Sequence, residues 1–178
     1  MTAWVRLELD LAGFDEEPYR WTLERAAADG IVLTTMAELG DTAEHRRALW
    51  SLNRECAADI PQRGEFPPFE EYAADRLEVA SYRPAGVAIA VDRGRWVALS
   101  GTSLRADDDL GAGRYAFSEI TGVVGSHRRR SLGTAVKLLT IRFAREQGYR
   151  LMRTIHHPDS TAAIGMNLRL GFTKPPGP

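Results

Sequence analysis

Residues 121–149 read TGVVGSHRRRSLGTAVKLLTIRFAREQGY: the end of an apolar strand, a basic turn, then a helix. Leu132, Val136, Leu139 and Phe143 fall at helical spacing along one face, and Gly148 marks the helix end. The turn poses a question of charge. A helix N-terminus carries about half a unit of positive charge and welcomes acids, and each cation there costs about 0.3–1 kcal/mol. This sequence places His127, Arg128, Arg129 and Arg130 at that point, with no acid in the first two helical turns. Either water screens the repulsion or an anion sits there. Ser131 is the expected N-cap, and Gly133 and Ala135 leave room for a ligand to approach the backbone. Strand, tight basic loop and helix N-terminus together make a phosphate-binding arrangement.

The elements around this stretch set the fold class. WVRLELDL, residues 4–11, alternates apolar and polar residues and predicts a strand. DEEPYRWTLERAAADG, with early acids and a closing Gly30, predicts a helix, and IVLTT a short strand. A helix follows behind Asp41 or Thr42, then a shorter one in PFEEYAADRLEVA. AGVAIAVDRGRWVALSGTSL predicts two strands joined at DRGR, and RYAFSEITGVV a third long strand. After the 132–146 helix come the strand YRLMRTIH and the helix DSTAAIGMNLRL, closed by Gly171. Helices, antiparallel strands, then strand–helix–strand–helix predict an α/β protein with a mixed, mostly antiparallel sheet flanked by helices.

Composition narrows the function. A chain of 178 residues fits one domain. The net charge of −1 argues against bulk nucleic-acid binding, so the basic cluster calls for a local partner. Cys56 is the only cysteine, which leaves no disulfide framework or Cys-rich metal site and suits the cytoplasm. No apolar run approaches a membrane span, and the charged start is no signal peptide. Neither G-x-x-x-x-G-K-[ST] nor G-x-G-x-x-G is present.

The 121–149 stretch resembles the coenzyme A-binding segment of the GNAT superfamily of N-acetyltransferases, whose signature is Arg/Gln-x-x-Gly-x-Gly/Ala after a strand ending in Val. The matching register is Arg128-x-x-Ser131-x-Gly133, with Ser131 in place of a glycine; Arg130-x-x-Gly133-x-Ala135 also matches, but the strand-to-loop distance favours the first. The resemblance runs on through YRLMRTIHHPDSTAAIGMNLRLGF to the closing Leu170-Gly171-Phe172. It covers residues 31–173 as a core, with residues 1–30 as a strand–helix extension of a single 1–178 domain.

The resemblance implies acetyl-CoA bound between two splayed parallel strands near 115–124 and 149–157. The backbone of Arg128, Arg129, Arg130, Ser131, Leu132, Gly133 and Thr134 would hold the pyrophosphate, with Ser131 tolerable if its φ stays negative. Val123 and Val124 would bond the pantetheine arm, and the Val124 N–H would serve the oxyanion. Glu119 is the implied general base, with His156 and His157 as runners-up. Strand alternation would set Glu119, Thr121 and Val123 on one face. Many relatives carry a tyrosine as general acid five residues before the closing Phe, where this chain has Asn167; an amide can bond the sulfur or the pantetheine but is no acid. Tyr115 or water would replace it. Ser160 stands where some relatives have a contacting asparagine. No metal is expected.

The expected reaction is acetyl transfer from acetyl-CoA to the primary amine of a small acceptor by direct attack in a ternary complex. The alternative is a non-catalytic acyl-CoA-binding or sensing module. The acids Asp59, Glu65, Glu70, Glu71, Asp107, Asp108 and Asp109 near the expected acceptor entrance hint at a cationic acceptor. The family's sheet usually continues for two strands after the last helix, whereas here TKPPGP follows Phe172. Residues 4–9 are therefore expected to fill the C-terminal half of the sheet, in the chain or in a dimer partner, and the edge left by so short a tail suggests a homodimer.

Overall fold

The computed structural model describes residues 4–58, 60, 64–106 and 113–175. Strand β1 (Val5–Asp10) leads through a single 3-10 turn (Glu17–Tyr19) into helix α1 (Trp21–Ala28). Then come β2 (Val32–Thr35), the one-turn α2 (Met36–Leu39), α3 (Ala43–Ala57) and α4 (Phe69–Arg76). β3 (Val87–Asp92), β4 (Arg95–Arg105) and β5 (Tyr115–Val123) precede α5 (Leu132–Glu146), β6 (Leu151–His156) and α6 (Thr161–Arg169). Local chemistry fixes several boundaries. Thr42 caps α3 by accepting from the His45 N–H. Thr35 and Glu38 form a reciprocal capping box that starts α2, a helix the sequence reading passes over. Arg93 and Gly94, both at positive φ, make the two-residue turn of the β3–β4 hairpin.

The six strands lie in the order β1-β6-β5-β4-β3-β2, all neighbours antiparallel except β5 and β6. β1 occupies the edge beside β6 within the same chain, pairing Val5 with His156 through Asp10 with Leu151, as expected for residues 4–9. Its alternation is real: Leu7 and Leu9 are buried, while Glu8 bonds Arg153 across the strands at 2.7 Å. Thr173 exchanges two 2.8 Å backbone bonds with Glu8 and so covers part of the outer edge of β1. Two apolar clusters flank the sheet, and α5 joins them. Leu132 and Val136 belong to the cluster with α3 and α4, Leu138 and Ile141 to the cluster with β1 and Phe172.

Two irregularities of β5 shape what lies around it. Its parallel pairing with β6 spans only Ala116–Phe117 against Met152–Arg153. Its antiparallel register with β4 steps from Ser100↔Thr121 to Thr102↔Ser118, so Glu119 and Ile120 together oppose Gly101. This is a β-bulge, which bends the bulged strand and increases its twist. β5 and β6 part after Phe117, while β4 and β5 stay paired to Val123. Among the described residues no helix is long and apolar enough to cross a membrane.

Candidate active site

The bulge reverses the facing expected from simple alternation. Ser118 bonds Lys137 on α5, and Thr121 shares a hydroxyl bond with Ser100, which in turn meets Thr140 on α5. Val123 also faces α5, its methyl 3.6 Å from where a Cβ on Gly133 would stand. Glu119, Ile120 and Gly122 face the other way, toward α3 and α4. A Cβ on Gly122 would come within 2.6 Å of the Cys56 side chain, so glycine lets α3 pack directly on β5. Glu119 thus lies on the face opposite Thr121 and Val123, because one extra residue in the strand shifts the period.

On the α3–α4 face lies a cavity of about 310 Å³ with Glu119 and Ile120 in its wall. The Glu119 carboxylate accepts from Ser103 Oγ at 2.6 Å, Arg105 at 3.0 Å and Arg76 at 3.1 Å. A carboxylate offers about four lone-pair sites, so one position remains for an incoming donor. The cavity also presents Asp75, Asn53 and Tyr72. Of the acids expected at this entrance, the described ones do not line it. Glu70 instead pairs loosely with Arg47 at 3.8 Å on the surface, and Glu65 and Glu71 are exposed. Asp59 and Asp107–Asp109 lie outside the described residues. Among the described residues the cavity wall holds two carboxylates, Asp75 and Glu119, and Glu119 pairs with the wall's two arginines, Arg76 and Arg105.

At the other end of β5, a cleft of about 680 Å³ runs along the 128–134 loop. Ser131 precedes α5 but does not cap it: its φ is +63° and its side chain makes no capping bond. Arg129 has φ +60°. Left-handed backbone at Ser131 explains why glycine suits this position, and it corrects the expectations of a negative φ and a serine cap. The first amide of α5 to find a helical acceptor is that of Ala135, which bonds Ser131 O at 3.1 Å. The earlier amides, at the positive end of the helix dipole, are available to an anion. Gly133 keeps the approach open, since a Cβ there would stand 3.3 Å from Met166 Sδ. Among the described residues no carboxylate lines this cleft, which fits a pyrophosphate.

The cations of the opening stretch turn out to be differently engaged. His127 Nε2 bonds Asp92 at 2.9 Å, and this bond holds the Asp92 carboxyl below its ordinary range. Arg130 pairs with Asp29 at the end of α1 at 3.0 Å. Arg128 Nε donates to Val123 O at 3.3 Å. Arg128 and Arg129 line the cleft together with Ser131, Leu132, Gly133 and Thr134, while Arg130 serves to tie α1 to the loop.

The two valines divide the roles expected of them. The Val124 N–H donates to Val97 O of β4 at 2.9 Å, and the residue is fully buried. It is unavailable to an oxyanion, which corrects the sequence reading. Backbone groups alternate in direction along an antiparallel strand, so the Val123 amide, one residue earlier, faces the open side where β6 has parted.

Between the separated strands sits a polar cluster that the sequence did not reveal as a unit. Thr154 Oγ1 donates to Ser118 O at 3.2 Å, and Asn167 Nδ2 meets His156 Nε2 at 2.9 Å. Asn167 is 1% exposed, and its Oδ1 has no hydrogen-bond partner. Burial and the nearby Lys137 charge push the His156 imidazole down to about 4, so it is neutral near pH 7. Ser160 flanks α6 without a side-chain capping bond, and His157 is buried against Trp4. Among the described residues, no group of three His, Cys, Asp or Glu side chains is placed to hold a metal.

Residues 46–172 match the family model described as the acetyltransferase (GNAT) family. Solved structures share the fold. Aminoglycoside N-acetyltransferase AAC(6')-Iy in complex with CoA matches with TM-score 0.64 and 20% identity, over 83% of this chain and 91% of that one. The ribosomal-protein-S18-alanine N-acetyltransferase of Escherichia coli matches with TM-score 0.60 and 15% identity, over 80% and 77%. The glucosamine N-acetyltransferase region of a fungal multi-domain β-N-acetylglucosaminidase matches with TM-score 0.67 and 14% identity, over 97% of this chain and 20% of that one. No curated protein matches.

Proposed function

Because the chain belongs to the acetyltransferase (GNAT) family, we propose that it transfers an acetyl group from acetyl-CoA to the primary amine of a small acceptor, attacked directly in a ternary complex. The observation that carries this reading is the fork: β5 leaves β6 after Phe117, and the opening lies between the cavity at Glu119 and the uncapped N-terminus of α5. Bound acetyl-CoA supplies the acyl donor. The amides of residues 132–134, with Arg128 and Arg129 beside them, hold its pyrophosphate. The Val123 N–H bonds the arm or the thioester oxygen as charge develops there.

Glu119 receives the acceptor ammonium at its remaining lone-pair site and takes its proton, directly or through water. A neutral His156 cannot donate a proton to a departing thiolate, and Asn167 is already bonded to it. Tyr115 starts β5, before the strands separate, with the Arg153 guanidinium over its ring, so protonation of the thiolate falls to water. Asp75 and Glu119 attract the amine, while Arg76 and Arg105 keep the cavity wall near neutral, which suits a small polar amine.

The second reading, a non-catalytic acyl-CoA-binding module, draws support from the heavily engaged Glu119 and from Asn167 at the tyrosine position. The experiment is calorimetry with acetyl-CoA followed by thiol release across a panel of primary amines. The Gly133→Glu variant, which sets bulk and negative charge in the cleft, serves as the control. Binding with turnover on at least one amine is expected. Binding without turnover on any amine selects the second reading, and no binding at millimolar acetyl-CoA overturns both.

A further inference from the structure

The cleft beside the 128–134 loop has a second wall that the sequence did not assign to it. That wall is the N-terminal extension, with Tyr19, Trp21 and Thr22 facing Arg128, Arg129 and Gly133. Trp21 stands at the first turn of α1 and is 51% exposed, although burying an indole is ordinarily favourable. The helix that presents it is tied down at several points. Glu16 takes two bonds from Arg142 of α5 at 2.8 and 2.9 Å. Tyr19 Oη donates to Arg169 O at the end of α6 at 2.7 Å, and Asp29 pairs with Arg130 at 3.0 Å. Thr22 and Ala26 are buried beneath. Trp21 is therefore a surface plate held by α5 and α6 over the cleft mouth.

The chemistry of the cleft is specific. One wall offers helix amides and arginines, the other an aromatic plate, and among the described residues no carboxylate lines the cleft. That combination fits a ligand with phosphates joined to a flat heteroaromatic base. We infer that Trp21 is the platform for the adenine ring of the bound coenzyme, and that residues 14–29 act as a cofactor-binding element. This inference rests on the proposed use of acetyl-CoA. Stacking needs only a π-face, so the plate secures the nucleotide end without touching the pantetheine or the acetyl group.

The test is calorimetry on wild type, Trp21→Ala and Trp21→Phe with two probes: acetyl-CoA, and S-acetyl-4′-phosphopantetheine, which lacks the adenosine. Trp21→Ala should weaken acetyl-CoA about 10-fold, the scale of losing one base–aromatic stack, and Trp21→Phe should restore most of the affinity. The truncated probe should bind all three proteins alike. Equal affinity of wild type and Trp21→Ala for acetyl-CoA would overturn the inference, as would the same loss with both probes, which would mark a collapsed wall. Wild type that binds neither probe would instead overturn the reading of the whole site.

Discussion

The Lys137 ammonium, fully buried on α5, donates to the hydroxyl of Ser118 on β5, one residue before the bulge. Its Nζ also stands 5.0 Å from the centre of the Phe172 ring. The Ser118 carbonyl accepts from Thr154 of β6, so one residue links α5, β5 and β6 where the strands separate. Burial pushes this lysine down to about 7 from an ordinary 10.5. The unfolded chain therefore binds the extra proton between about pH 7 and 10.5, and folding stability from this group rises with pH across that window.

Urea unfolding should show this slope directly, at up to ~1.4 kcal/mol per pH unit for one group. Lys137→Met should flatten it. The comparison isolates Lys137, because both proteins keep the other lysine, Lys174, and the buried Cys56 thiol. Tyr82, raised by burial and by donation to Asp41, acts in the opposite sense and only above about pH 10, where the unfolded tyrosine ionises first. The same slope in Lys137→Met as in wild type would show that Lys137 is not the titrating group.

Ser131→Gly should stabilise the protein. A residue with a Cβ in the left-handed region costs roughly 1–2 kcal/mol, and glycine's greater freedom in the unfolded chain returns part of that. The expected net gain of about 0.5–1 kcal/mol would raise Tm by about 1–4 °C in a chain of this size. Acetyl-CoA affinity should hold or improve, because the loop backbone keeps its shape. A lower Tm, read by differential scanning calorimetry, would mean that the serine side chain contributes more than its φ of +63° costs.

His156 should stay neutral down to about pH 4. Its folded value lies below the ordinary 6.5, so the stability it contributes is present above about 6.5 and is lost as pH falls toward 4. Imidazole NMR shifts followed from pH 8 to 3.5 test this. A midpoint between 6 and 7 would restore His156 as an acid–base candidate.

The helices and strands were legible because periodicity reports burial, and the phosphate loop because cations before a helix demand a reason. The bulge was not read, since Ser118–Val123 alternates acceptably on paper. Its sequence signal was Gly101, an isolated glycine within the facing strand β4. Asn167 was recognised by its distance from Phe172, but its bond to His156 joins two elements and leaves no local pattern. The wall formed by residues 18–22 was equally hidden, because it meets the 128–134 loop across more than a hundred residues of chain.

The bulge also alters what Glu119→Gln should do. On a regular strand Glu119 would share a face with Val123; here it turns into the cavity on the α4 side, bonded by Arg76, Arg105 and Ser103. Glutamine keeps the shape but cannot take a proton. With one accepted amine, kcat near neutral pH should fall about 100-fold, the low end of the general-base range for a carboxylate acting through water. Acetyl-CoA affinity should be unchanged, since the pyrophosphate cleft lies at the far end of β5. Part of the loss should return at high pH, where the amine deprotonates itself. Arg76→Gln separates the chemistry from the ion pairs: it removes one bond to the carboxylate while sparing its basicity, so it should lower kcat far less than Glu119→Gln. The measurement is a pH–rate profile for the three proteins with melting curves alongside. Superimposable profiles for wild type and Glu119→Gln, with a lowered Tm for the variant, would make Glu119 a structural partner of its two arginines and leave deprotonation to the solvent.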